Sequence, residues 1–83
     1  MAKKVPPTAE ELENLKSTMD STELDFANAK LAYYNRMEYK GQLVAYENLE
    51  QYAKAFIAAN HAYQKALYGK VRITLSVARL MRE

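Results

Sequence analysis

The stretch Tyr39-Lys40-Gly41-Gln42 decides how this chain is organised, because two long runs of helix-forming residues meet there around the first of its two glycines. Glycine is a poor helix former and interrupts the run, although the stretch holds no proline, Asn or Asp to enforce a turn. Toward the N-terminus the larger or less polar residues recur at Leu12, Leu15, Met19, Thr22, Phe26, Ala29, Tyr33 and Met37. Steps of three and four make one helical stripe, as in a coiled-coil seam. Toward the C-terminus a second stripe runs through Ala45, Leu49, Tyr52 with Ala53, Phe56, Ala59, Tyr63, and Ala66 with Leu67. A reversal at Gly41 sets Met37 opposite Ala45, Tyr33 opposite Leu49, Phe26 opposite Phe56, Met19 opposite Tyr63 and Leu15 opposite Leu67. The expected fold is therefore all-α: a long antiparallel helical hairpin or small bundle, with arms of about 9–40 and 42–68 and a C-terminal third helix. One glycine costs a helix only about 1 kcal/mol. The same pairs would also meet between two chains whose helices ran straight through Gly41, so a hairpin monomer and an antiparallel or swapped dimer both fit.

The ends of this pattern carry their own signals. After a leader over residues 1–7 ending in Pro6-Pro7, Thr8 stands as an N-cap with Glu11 three residues on, the capping-box spacing. Residues 8–83 then read as a single helical domain. Residues 1–28 hold three Lys against six Asp or Glu, whereas residues 29–83 hold nine Lys or Arg against four Glu. The hairpin would bring Glu10, Glu11 and Glu13 beside Lys70 and Arg72, turning this asymmetry into internal attraction. Val71, Ile73, Leu75 and Val77 alternate with Arg72, Thr74 and Ser76, a strand-like period. Helix is the favoured reading of this segment, because a lone strand has no partner elsewhere in the chain.

Composition narrows the chemistry. With no cysteine there is no disulfide, thiolate metal site or cysteine nucleophile. No stretch approaches the ~20 apolar residues of a membrane span, and no apolar run follows Lys3 and Lys4 as in a signal peptide; a soluble protein, cytoplasmic or within a macromolecular assembly, is expected. The one histidine, His61, lies with Glu47, Gln51, Lys54 and Lys65 on the polar side of the second arm and reads as a solvated surface group. Neither a Glu-x-x-His pair nor His-Glu-x-x-His, nucleophile elbow or phosphate loop occurs. No catalytic, cofactor or metal site is expected, and the chain does not read as an enzyme.

Two surfaces remain. Leu24, Ala27, Leu31 and Tyr34 lie about 200° around the first arm from its packing stripe, a face that a two-helix hairpin leaves uncovered. Either a third helix covers it or it docks another copy or another protein. Leu24, Leu31, Tyr34 and Tyr39 are the candidate partner-binding residues, since exposed tyrosines at helical spacing suit protein interfaces. The basic end offers Lys70, Arg72, Arg79 and Arg82 as nucleic-acid candidates, against a net charge of only +2.

Two partial likenesses accompany these readings. Tyr39-Lys40-Gly41 between equal arms resembles the layout of small secreted ESX-type helical hairpins, whose turn carries Trp-x-Gly; Tyr46 to Glu50 has the Tyr-x-x-x-Glu spacing but lies just past the turn. Arg72-Ile73-Thr74-Leu75-Ser76-Val77 resembles the opening strand of a ribbon-helix-helix DNA binder, with too little chain after it for the two helices. The leading expectation is a non-enzymatic adaptor or scaffold working by self-association or partner docking, a style common among small phage and mobile-element proteins. A nucleic-acid-associated regulator comes second, and an ESX-like secreted hairpin third.

Overall fold

A computed structural model describes residues 7–82; Glu83 and positions 1–6, which make up most of the expected leader, lie outside the described residues. In chain order the elements are α1 (Ala9–Tyr34), β1 (Glu38–Tyr39), β2 (Gln42–Leu43), α2 (Tyr46–Tyr68) and α3 (Val77–Arg82). The two long helices form the antiparallel hairpin within one chain, and the short third helix packs back on them.

α1 begins where the capping signal puts it: Thr8 Oγ1 accepts the Glu11 N–H at 3.1 Å, while Glu10 and Glu11 occupy the first turn, where the dipole favours negative charge. It ends at Tyr34, well before Gly41. Asn35 closes it, both its backbone N–H and its side-chain amide donating to the Leu31 carbonyl, and Arg36 then adopts φ 54°. A local side-chain bond of this kind lets Asn compete with the helix. The reversal itself is a miniature antiparallel β-hairpin, with Glu38 opposite Leu43 and Tyr39 opposite Gln42. Its two central residues, Lys40 and Gly41, have φ of 53° and 80°. Positive φ at both positions is the requirement of a type I′ turn. Thus the arms stop at Tyr34 and start at Tyr46, short of the ends that periodicity alone suggests.

α2 starts with the Ala45 N–H donating to Asn48 Oδ1 (3.1 Å), half of a capping box, since alanine has no acceptor to return. It ends at Gly69, whose φ of 79° and N–H bond to the Lys65 carbonyl make a left-handed C-cap. Between the arms lie Phe26, Ala29 and Ala32 from α1 and Leu49, Ala53 and Phe56 from α2, joined by Val44 from the hairpin and Leu80 from α3. Three alanines in so small a core let the helices approach closely. Met19, Tyr33 and Tyr52 pack at its margin.

Two expectations about packing need correction. Met37 is not a core partner of Ala45: it is 60% exposed. The helix has already ended, and the Met37 N–H turns back to the Ala32 carbonyl, so its side chain no longer follows the seam. Nor do Glu10, Glu11 and Glu13 pair with Lys70 or Arg72. The ion pairs among the described residues are Lys16–Asp20 and Lys40–Asp25, and the Arg72 guanidinium instead lies 5.1 Å from the Tyr68 ring centre.

Candidate functional site

Residues 70–76 settle neither as a strand nor as a helix, and two side chains of α2 hold them in place. Gln64, only 7% exposed, accepts the N–H groups of Arg72 and Ile73 at Oε1 and donates from Nε2 to the Ile73 carbonyl, each at 2.8 Å. The same amide donates to Asn60 Oδ1, so all of its polarity is answered inside the chain. One turn earlier, His61 Nε2 accepts the Leu75 N–H at 3.0 Å. His61 is therefore not the solvated surface group its stripe suggested; it anchors the returning segment through an unprotonated ring nitrogen. Ser76 then caps α3, its Oγ accepting the Arg79 N–H, and α3 delivers Leu80 to the core.

This placement builds a groove on the outer side of α1. Phe26, Phe56 and Leu80 floor it, Ala27, Leu31 and Tyr34 wall it on the α1 side, and its volume is about 490 Å³. Lys30 fixes the seam between α1 and α3: its Nζ donates to the Leu80 carbonyl at 2.9 Å and sits 5.8 Å from the Phe26 ring centre. The Tyr34 hydroxyl lies 3.5 Å from the Met81 carbonyl. α3 thus borders the face without covering it. Leu24, Leu31 and Tyr34 remain 61%, 64% and 63% exposed, so three of the four partner-binding candidates come together on one surface. A wider cleft of about 640 Å³ opens on the other side of Leu80, between Met19, Tyr63 and Leu75; Asn60 and Gln64 at its edge are already hydrogen-bonded within the chain.

Tyr39, the fourth candidate, serves the fold. Its hydroxyl donates to Asp25 Oδ1 at 2.6 Å, and its ring meets Tyr52 edge-on with centroids 5.8 Å apart. Lys40 reaches the same carboxylate oxygen at 3.0 Å. The hydrogen bond from Tyr39, then that from Lys40, holds the Asp25 carboxyl below its ordinary range. The bond to Asp25 in turn raises both the phenol of Tyr39 and the ammonium of Lys40 above theirs. This cluster ties the β-hairpin down along α1.

Lys70, Arg72, Arg79 and Arg82 are all exposed, with Arg72 against Tyr68 as described. Among the described residues no three His, Asp or Glu side chains are grouped to hold a metal ion, and no helix is long and apolar enough to cross a membrane. The groups that shape the groove but escape a reading by periodicity are Gln64 and Lys30. Leu80 does carry such a signal, its helical spacing from Val77 and Ile73; for a glutamine bonded to backbone eight and nine residues away there is none. Compared with known proteins, the chain matches no family model, no curated protein and no solved structure.

Proposed function

We propose that this chain is a non-enzymatic interaction or assembly protein, an adaptor or scaffold that docks a protein partner along the outer face of α1. The observation that supports it is the cluster of Leu24, Leu31 and Tyr34, each more than three-fifths exposed, beside a groove floored by Phe26, Phe56 and Leu80. Large apolar side chains grouped on one face, next to a concave apolar surface, are the features a helical ridge needs for docking. The test compares the native chain with Leu24→Glu/Leu31→Glu, checked for unchanged helicity, in cross-linking and sedimentation experiments. The double variant should lose the chain's associations, whereas Lys54→Glu on the far side of α2 should retain them. Associations that persist undiminished in the double variant refute the proposal.

A second reading rests on the basic end, where Arg72 against Tyr68 forms a cationic and aromatic surface beside Lys70, with Arg79 and Arg82 further along. Such a surface suits a nucleic-acid strand, and binding would weaken steeply with salt. Affinity for DNA or RNA unchanged by Arg72→Ala/Arg82→Ala removes it.

A further inference from the structure

We propose that the occupant of the α1 groove is α1 of a second copy of this chain, packed antiparallel about a two-fold axis at Ala27. The inference rests on the docking reading above and names the partner that the surface itself fits. A two-fold interface must be self-complementary, each surface carrying both a projection and the recess that receives it. This face does so: Leu24 projects at one end, outside the groove lining, and the recess floored by the buried Phe26, Phe56 and Leu80 lies beside it.

Charge selects the direction of packing. Glu23 and Lys30 both line the groove and stand seven residues apart, two turns along the same side of α1. Neither is among the ion pairs of the described residues; Lys30 spends one N–H on the Leu80 carbonyl. A parallel arrangement would set glutamate on glutamate and lysine on lysine. Rotation about Ala27, which lies between them, instead sets each Glu23 against Lys30 of the partner subunit, forming two ion pairs at once. It also carries Leu24 to the level of the partner's Leu31. Ala27 is exposed, and a methyl group at the axis permits the close helix approach, about 8 Å between axes, that small contact residues allow. Among the described residues the core holds eight buried hydrophobic side chains, three of them alanine, and short chains of this kind commonly complete their burial by association.

The experiment is sedimentation velocity on the full chain from about 10 µM to about 1 mM, a range that spans weak and moderate dimers. The native chain should shift from monomer to dimer, with no larger species. Glu23→Lys, at an exposed position that leaves the fold intact by circular dichroism, should weaken the dimer about tenfold, because the two-fold turns both ion pairs into repulsions. Glu23→Gln, which removes the charge without adding a repulsion and leaves Lys30 and its bond to the Leu80 carbonyl intact, should weaken it less than Glu23→Lys does. Because the chain has no cysteine, Ala27→Cys should form a disulfide-linked dimer under mild oxidation, while Lys54→Cys should not. A native chain that stays monomeric throughout overturns the second-copy inference but leaves the groove open to a different protein, to be judged by the Leu24→Glu/Leu31→Glu comparison. A dimer indifferent to Glu23→Lys, or one that Ala27→Cys fails to cross-link, overturns the antiparallel register.

Discussion

Replacing Gln64 by leucine removes the contact that holds residues 70–76 on α2, together with the bond to Asn60 within α2. Leucine matches the buried part of the side chain and removes every polar atom. Three hydrogen bonds to the segment are lost, from the Arg72 and Ile73 N–H groups and to the Ile73 carbonyl, all at 2.8 Å. At about 1 kcal/mol net for each, the loss is about 2–3 kcal/mol. It is not larger because Arg72 and Ile73 are themselves exposed, so their freed backbone groups find water. Amide hydrogen exchange is the direct assay: the Arg72 and Ile73 amides should exchange about 30- to 150-fold faster, the factor equivalent to that energy. If the segment melts together with the arms, the midpoint of thermal unfolding should fall by about 10–20 °C for a chain of this size. Arg72 and Ile73 amides that exchange as in the native chain, with a midpoint within about 2 °C, would show that Gln64 does not hold the segment.

Other expectations follow from the same contacts. His61→Ala removes the acceptor of the Leu75 N–H and should speed exchange of that amide by about fivefold, for a bond worth about 1 kcal/mol, while the amides of central α1 keep their protection. Asp25 has a carboxyl pKa lowered on folding, so the unfolded chain binds the extra proton first; its stabilising effect is present above about pH 4 and is lost as pH falls through the lower folded value. Melting midpoints measured down to pH 2 should therefore drop more steeply for the native chain than for Asp25→Asn, and parallel curves would contradict this. Gly41→Ala should cost about 1–2 kcal/mol: the residue sits at φ 80°, and the added methyl group would meet nothing within 4 Å, so the cost is backbone strain alone. Denaturant unfolding measures the difference, and an unchanged midpoint would argue against the turn geometry.

How far the chain can be read from its residues depends on the range of the forces at each point. The start of α1 is a local matter: Thr8 and Glu11 are three residues apart, and the cap depends on nothing distant. The helical arms and their central seam are nearly as legible, because a repeat carried from Leu15 to Phe26 and from Leu49 to Phe56 has few ways to bury itself. The apolar face at Leu24, Leu31 and Tyr34 was also visible, since angles around a helix follow from spacing alone.

Tertiary contacts decided the rest. Met37 continues the stripe by number, yet Asn35 and Arg36 have already turned the backbone, and a short β-hairpin replaces the last helical turns because Tyr39 and Lys40 gain Asp25 on the side of α1. The alternation from Val71 to Val77 predicts a periodic element, but the backbone donors of Arg72, Ile73 and Leu75 go to Gln64 and His61 instead of to a neighbouring strand or turn. Periodicity reports which side of a helix is apolar. It carries no information about which polar side chain on that helix will meet another segment's backbone, and that meeting sets where α3 lies and which part of the α1 face stays open.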